Sequence, residues 1–300
     1  MNTLPAPDLP EWLLKQLPFK RYVVPVGALK MHVMEQGPAD GYPVLMVHGN
    51  PTWGYLYRKV AKALSPYPLR IILPDLIGLG FSDRIRAEEH TLQNHGEWLG
   101  DLIGQLKLDK VIFVGQDWGG PIGALALSKH AEIVQGMVIL NTVLGPPREG
   151  FHATTFHKFA RMPLISDFVF RILGFPQVRL SAAQGDKKSI SGEVARAYKF
   201  PLMGLSKNVA PLALARMVPD SLEHPSIAQL KEVAAFARSF TGPAAIVWGD
   251  KDPVLGRALS RVQGVLPNAK LTRTNAGHFL QEEVPEEIAE AVHSIWEQVK

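Results

Sequence analysis

The sequence predicts an α/β fold with a mostly parallel sheet, and two observations support this prediction. Short apolar runs bounded by turn residues recur along the chain, and most do not alternate apolar with polar residues, which is typical of strands buried on both faces. Helical patterns lie between these runs, and this alternation of strand and helix indicates parallel pairing. The runs are Pro43–Val47, Arg70–Leu73, Val111–Val114, Met137–Leu140, Ala244–Trp248 and Lys270–Thr274.

Three further segments complete the predicted core. Asn94–Leu106 places its large apolar residues on one helical face, and Pro285–Val299 does the same. The second of these helices begins with proline and two glutamates, which favour a helix N-terminus. Phe19–Met34 is typical of an antiparallel hairpin at the sheet edge. We therefore predict a mostly parallel, eight-stranded sheet flanked by helices.

The alternation breaks between about Gly145 and Pro225, where the pattern becomes helical and aromatic. Seven of the 13 phenylalanines fall in this segment. Either they wall a water-poor apolar cavity or they attach the segment to the main body, and the pattern does not decide between these interpretations. We predict a core made of residues 1–145 and 226–300, with an inserted helical cap of residues 146–225.

The composition excludes several classes of protein. Hydrophobic residues make up 46% of the 300 residues and charged residues 20%, which is typical of a globular chain. The absence of cysteine excludes a disulfide scaffold and cysteine catalysis, and it fits a reducing compartment. The net charge is +4 but no basic block is longer than Lys187-Lys188, so nucleic acid is not a predicted partner.

The N-terminal residues predict neither export nor a membrane anchor. Prolines and acidic residues stand where a signal peptide needs an apolar region. No apolar run approaches the ~18 residues of a membrane span. We predict a cytoplasmic protein with no membrane partner, and its oligomeric state is left open.

The most specific motif is Gly115-Gln116-Asp117-Trp118-Gly119, between the run Val111–Val114 and a helical pattern. This is the spacing of a nucleophile elbow, a strained strand-to-helix turn, with Asp117 in the nucleophile position. Glycine is expected on either side because neighbouring backbone comes too close for larger side chains. An aspartate is already ionised at pH 7 and can displace a leaving group at carbon, which forms an alkyl ester on the enzyme.

Water must then hydrolyse that ester, and this step needs a general base. His278 is the candidate because it follows the last predicted strand, in the chain order nucleophile, acid, histidine. Asp252, just past Ala244–Trp248, is the candidate for the carboxylate that orients the imidazole. Asp250, two residues earlier, is its rival and is interpreted as a turn residue.

The segment His48-Gly49-Asn50-Pro51-Thr52-Trp53 follows another predicted strand and can face the elbow. The backbone N–H groups of Asn50 and Trp118 would then form an oxyanion hole. Their side chains carry an amide and an indole donor, and two such donors beside an apolar cavity suit a chloride or bromide ion. The alternative is that Trp118 is a core aromatic and Asn50 a turn residue.

Neither a metal nor a cofactor is predicted. The glycine-rich segment Asp75–Ser82 matches neither a dinucleotide-binding loop nor a phosphate-binding loop, and we interpret it as a loop at the carboxyl edge of the sheet. His152 and His157 are five residues apart, and we interpret them as surface or packing residues rather than metal ligands.

Taken in order, the motifs HGNPTW, D-x-x-G-x-G-x-S, GQDWGG, WGDKD and AGHFLQEE resemble the haloalkane dehalogenases of the α/β-hydrolase fold, over nearly the whole chain. The resemblance implies Asp117 as nucleophile, His278 as base and Asn50 with Trp118 as the halide-stabilising pair. It also implies a cap inserted after the sixth strand, a small apolar halogenated substrate and a released halide ion. A catalytically silent binding protein is the alternative from another class, and the joint presence of Asp117, Asp252 and His278 argues against it.

The position of the acid distinguishes branches of this family. In one branch a glutamate follows strand six, but here Asn141 stands at that place, so the acid should be Asp252. Asp252 together with Asn50 resembles the third subfamily, which is similar to β-lactone decarboxylases of olefin biosynthesis, and β-lactone chemistry is therefore an alternative.

An epoxide hydrolase usually has two cap tyrosines, whereas this cap has only Tyr198. Fluoroacetate dehalogenases need an arginine beside the nucleophile, and a serine esterase is excluded by Asp117.

Overall fold

The computed structural model describes residues 3–151, 155–205 and 207–300, and it contains one sheet of nine strands. The order of the strands across the sheet is β1-β2-β3-β5-β4-β6-β7-β8-β9. The strands are β1 (Leu4–Pro5), β2 (Lys20–Val26), β3 (Leu29–Gln36), β4 (Tyr42–Val47), β5 (Leu69–Pro74), β6 (Val111–Asp117), β7 (Val134–Thr142), β8 (Ala244–Gly249) and β9 (Lys270–Thr274).

The sheet is mostly parallel, as the sequence predicts. Strand β4 pairs in parallel with β5 and β6, and parallel pairing continues through β7, β8 and β9. The antiparallel part consists of β1, β2 and β3 with β5, which confirms the predicted edge hairpin. The prediction of eight strands was one short, because Leu4–Pro5 adds a two-residue edge strand that is too short to show any periodicity.

Helices cover both faces of the sheet. They are α1 (Glu11–Leu14), α2 (Arg58–Ala63), α3 (Leu92–Leu106), α4 (Gly119–Ser128), α5 (Thr155–Ala160), α6 (Ile165–Asp167), α7 (Gly192–Lys199), α8 (Ala210–Arg216), α9 (Ile227–Ser239), α10 (Leu259–Val265) and α11 (Pro285–Val299). Short 3₁₀ helices are Gly54–Tyr57, Ala87–Glu89, Ala131–Ile133, Leu180–Ala183, Phe200–Leu202, Gly256–Ala258 and Leu280–Glu282, and a π-helical turn, Phe168–Ile172, continues α6. Within the described residues none of the helices is long and apolar enough to cross a bilayer.

The side chains of β6 show how the core is divided. Val111 and Phe113 join the cluster with α3, α4 and α9, whereas Ile112 and Val114 join the cluster with α2 and α11. Both faces of the strand are therefore buried, and this explains why its sequence is continuously apolar.

The described part of the segment between β7 and α9 contains helices, turns and loops but no strand. Three of its phenylalanines, Phe159, Phe170 and Phe175, pack against one another. Phe200 packs against Trp12 and Phe81 of the main body. Phe200 therefore takes the attaching role that the sequence left open, whereas the other three form a cluster inside the segment. His152 and the side chain of His157 lie outside the described residues.

The parallel strands bring four loops to one edge of the sheet. These loops follow β4, β6, β8 and β9, and they carry Asn50, Asp117, Asp252 and His278 respectively. Because the carboxyl ends of parallel strands meet at one edge, residues far apart in the chain converge there.

Candidate active site

Asp117 ends β6 and has a φ of 49°, in the left-handed region that non-glycine residues seldom adopt. Gly115 and Gly119, on either side of Asp117, leave no room for a larger side chain. A Cβ on Gly119 would lie 2.0 Å from the Val47 carbonyl oxygen, and one on Gly115 would lie 2.8 Å from the Gly120 Cα. Helix α4 begins directly after the turn. The strained turn therefore presents the Asp117 carboxylate at the edge of the sheet, as the elbow motif predicts.

His278 lies between two carboxylates. Its Nδ1 is 2.9 Å from Asp252 Oδ2, and its Nε2 is 3.5 Å from Asp117 Oδ2. The His278 side chain is almost fully buried, whereas the Asp117 side chain keeps 14% of its surface exposed. Because an ionised carboxylate only accepts hydrogen bonds, Nδ1 donates to Asp252 and Nε2 is directed towards Asp117.

The carboxylate of Asp252 is buried and held by several donors. The Asn141 side-chain amide donates to Oδ2 at 2.8 Å. The backbone N–H groups of Val254 and Leu255 donate to Oδ1 at 2.7 and 3.1 Å. Burial raises the pKa of Asp252, but the neighbouring His278 and these hydrogen bonds outweigh it and hold the pKa below its ordinary value.

Asp250, the rival carboxylate, is placed differently. It pairs with Arg273 at 3.1 Å near the surface, and a third of its side chain is exposed. Asp252, rather than Asp250, is therefore the carboxylate in contact with His278.

The electrostatics of His278 depend on both carboxylates. Burial lowers its pKa, whereas the charges of Asp252 and Asp117 and the hydrogen bonds to them raise it. The balance places the pKa of His278 well above its ordinary value. If Asp117 lost its charge, one of the two attractions would vanish and the imidazole would release its proton more easily.

Asn50 lies next to Asp117, but its side-chain amide is partly engaged by another group. Its backbone N–H donates to Asp117 Oδ1 at 2.7 Å, where an oxyanion-hole donor is expected. Its side-chain Nδ2 donates to the Pro211 carbonyl oxygen of α8 at 2.9 Å, so one of its two amide hydrogens is already engaged. Trp118 is nearly buried at the start of α4, and its indole N–H has no acceptor among the described residues.

Several side chains that hold the site were missed by the sequence analysis. The buried amide of Gln116 donates to the His278 carbonyl oxygen at 3.0 Å. The Thr142 hydroxyl donates to the Asp117 carbonyl oxygen at 2.5 Å. His48 accepts the Leu76 N–H at 2.9 Å, and burial lowers its pKa, so it acts as a neutral support of its loop. The available signal for Gln116 and His48 was a polar residue inside a catalytic motif, whereas Thr142 lies outside those motifs.

The helical segment holds the loop of His278 through its backbone. The His278 N–H donates to the Ala183 carbonyl oxygen at 2.8 Å. Gln184 accepts from the Phe279 N–H at 2.9 Å and donates to the Phe279 carbonyl oxygen at 3.1 Å. Glu283 accepts from the Gly277 N–H at 2.9 Å and also bonds backbone N–H groups of the helical segment. The position of His278 therefore depends on both parts of the chain.

Next to this loop, Glu282 forms a buried polar cluster. Arg58 binds it through two hydrogen bonds of 2.6 and 3.0 Å, and the Tyr198 hydroxyl donates to it at 2.6 Å. Burial, and then the Glu282 charge, raise the pKa of Tyr198 well above its ordinary value. The Tyr198 hydroxyl therefore keeps its proton in the hydrogen bond to Glu282, and this proton is not available to a substrate oxygen.

The whole chain is similar to several known proteins. The family model for the alpha/beta hydrolase fold matches residues 42–285. A haloalkane dehalogenase from Mycobacterium marinum is 32% identical over 303 residues, which cover 98% of this chain and 99% of that protein. One from Mycolicibacterium paratuberculosis is 30% identical over 307 residues and 99% of both proteins. The structure of the haloalkane dehalogenase DatA from Agrobacterium tumefaciens has a TM-score of 0.81 at 25% identity, over 94% of this chain and 97% of that chain.

A parallel sheet with a carboxylate on a strand-to-helix turn, facing a histidine after the last strand, defines a hydrolase of the nucleophile-elbow class. Both relatives named above align over almost their whole length with this chain. The chain belongs to the α/β-hydrolase family and, within it, to the haloalkane dehalogenases.

Proposed function

We propose that the protein hydrolyses haloalkanes to an alcohol and a halide ion, with Asp117 as nucleophile, His278 as base and Asp252 as the acid that orients it. The observation that carries the proposal is the arrangement of the Asp117 carboxylate, the His278 imidazole and the Asp252 carboxylate, with contacts of 3.5 and 2.9 Å. In addition, residues 146–225 are proposed as a cap over the core of residues 1–145 and 226–300, and the cytoplasm as its location.

In the first step, Asp117 attacks the carbon that bears the halogen. Because Oδ1 is held by the Asn50 N–H, Oδ2 is the oxygen left to form the new bond. The carbon–halogen bond breaks as this bond forms, and the halide leaves with the electron pair. The indole N–H of Trp118 and the second amide hydrogen of Asn50 are the donors that would stabilise the departing ion.

In the second step, water hydrolyses the alkyl ester. Alkylation neutralises Asp117, and this lowers the pKa of His278 because one of its two carboxylate neighbours has lost its charge. His278 Nε2 then accepts a proton from water as the water oxygen attacks the Asp117 carboxyl carbon. The oxyanion forms on Oδ1, next to the Asn50 N–H, and the alcohol leaves with a proton from His278.

One activity panel tests this proposal against the alternatives. Bromide release from 1-bromobutane is the expected result, measured beside hydrolysis of styrene oxide and decarboxylation of a long-chain β-lactone. The commitment of the Tyr198 hydroxyl to Glu282 disfavours the epoxide. Turnover of the β-lactone or of the epoxide without any bromide release would overturn the proposal.

The halide site gives a separate prediction. Asn50→Ala should slow carbon–halogen cleavage by about 10²-fold if its amide acts like an oxyanion-hole donor. Bromide should quench the fluorescence of wild-type protein through Trp118, and the Trp118→Phe variant should lose this quenching. Sulfate at equal ionic strength is the control. Equal quenching of wild type and Trp118→Phe would show that the indole does not contact the ion.

A further inference from the structure

We propose that the helical segment binds the surface of a membrane rich in anionic phospholipids. The contact is made by exposed apolar side chains surrounded by arginine and lysine. We call these side chains the apolar cap surface: Leu164, Ile165, Phe168, Ile172, Leu173 and Met203. Among the described residues, large apolar side chains exposed outside residues 146–225 are few and scattered: Leu4, Leu14 and Val254.

The apolar cap surface cannot be explained by packing within the chain. Leu164 is 84% exposed, Met203 65% and Ile172 59%. Ile165, Phe168 and Ile172 share the outward side of α6 and its π-helical continuation, whereas Phe170 on the other side is fully buried. A helix that only covered a core would carry polar residues on its outward side.

The Met203 loop and this helix are neighbours. Asn208, a few residues after Met203, donates its side-chain amide to the Phe170 carbonyl oxygen at 2.7 Å. Its side-chain amide also contacts the side-chain amide of Gln177. These two contacts hold the loop against the helix, so the exposed apolar residues belong to one region.

The positive charge of this region indicates an anionic partner. Residues 146–225 carry eleven Lys and Arg and six Asp and Glu, an excess of five, whereas the whole chain has an excess of four. Arg171, Arg179 and Lys207 are exposed, and within the described part of the chain no carboxylate pairs with them. Anionic headgroups complement this charge, and each Lys or Arg near such a surface strengthens binding. A second copy is disfavoured because two positive surfaces repel.

The position of the apolar cap surface links it to the site. Phe170 and Leu212 of α8 belong to one buried cluster, and the neighbouring Pro211 carbonyl oxygen accepts from Asn50. The helix that carries the surface and the candidate halide site are therefore both in contact with α8. This step rests on the proposed function: apolar haloalkanes partition into lipid, and an enzyme docked through this surface would meet lipophilic substrates at the bilayer. The prediction of no membrane partner rests on the absence of a signal peptide and of a spanning segment, and neither absence bears on a peripheral contact.

Co-sedimentation with vesicles tests the binding. Wild-type protein should sediment with vesicles of phosphatidylglycerol and phosphatidylcholine in equal parts, and much less with pure phosphatidylcholine. Phe168→Ser with Ile172→Ser should weaken binding by at least about tenfold, since apolar burial is lost without a change in charge. Leu14→Ser is the matched control because Leu14 is also exposed but lies outside the segment, in α1.

A second pair of variants tests the charge. Arg171→Gln with Arg179→Gln should weaken binding to the anionic vesicles by about fivefold for each charge removed, and Lys231→Gln in α9 should have little effect. Three outcomes would overturn the proposal: no binding by wild type, equal binding by all variants, or a dimer in sedimentation velocity that Phe168→Ser with Ile172→Ser abolishes. Bromide release from 1-bromobutane without vesicles should be equal in all variants. Its absence in wild type would contradict the proposed function and leave the binding result intact.

Discussion

The His278→Phe variant should release about one equivalent of bromide per active site and then stop. Alkylation does not need the imidazole, because the Asp117 carboxylate attacks in its ionised form and halide leaves without a proton. Hydrolysis needs it, because water must lose a proton as it attacks the ester. Mass spectrometry of the stalled protein should find the alkyl group on the peptide that carries Asp117, and rapid-mixing bromide detection should show the burst.

The fold should survive this substitution. Asp252 would keep its bonds from the Asn141 amide and from two backbone N–H groups, so its buried charge would still be satisfied. His293→Phe, on helix α11 and away from the sheet edge, is the matched control and should turn over like wild type. Repeated turnover by His278→Phe would exclude His278 as the base. Absence of both burst and adduct, with an active wild type, would contradict alkylation of Asp117.

The parts of the molecule that sequence predicts well are those encoded locally. The run Val111–Val114 is apolar because both faces of β6 are buried. The glycines around Asp117 are needed because a Cβ on Gly119 would collide with the Val47 carbonyl oxygen. Each of these features can be seen within a few residues of sequence. The elbow and the predicted strands follow from them, and strand ends differ from prediction by up to three residues.

The contacts that the sequence did not reveal join distant parts of the chain. Asn50 and Pro211 are 161 residues apart, and Gln184 and Phe279 are 95 apart. No local pattern states which amide meets which carbonyl oxygen, because those pairings arise only when the helical segment folds onto the loops of the sheet. Gln116 illustrates the same limit: its position inside the elbow motif is visible, but its bond to His278 depends on where β9 ends.

Asp252→Asn should reduce turnover by roughly 10⁴-fold, if the loss seen in other histidine–aspartate pairs applies. A carboxylate accepts the Nδ1 proton and so keeps Nε2 directed at Asp117 as a base. An amide can donate to Nδ1 instead, which favours the tautomer with the proton on Nε2, where it blocks the transfer from water. Steady-state bromide release and the rate of the single-turnover burst should be measured separately. The steady-state rate should decrease, whereas the burst rate should stay close to that of wild type.

Asp250→Asn is the matched control, because the same chemical change two residues earlier removes only a near-surface pair with Arg273. Exposed pairs contribute about 0–1 kcal/mol, so its activity should stay close to wild type. If Asp250→Asn were the more damaging change, the wrong carboxylate would have been assigned.

The pH profile of the remaining hydrolysis in Asp252→Asn distinguishes an electrostatic role for Asp252 from a purely structural one. In wild type, burial lowers the pKa of His278, and Asp252 contributes the largest opposing effect. The hydrolysis rate should rise with pH through the pKa of His278, because only the neutral imidazole accepts a proton. Removing the Asp252 charge lowers that pKa, so the rate in Asp252→Asn should reach its plateau at lower pH than in wild type. A profile that keeps its midpoint while the rate falls would show that Asp252 positions His278 without controlling its charge.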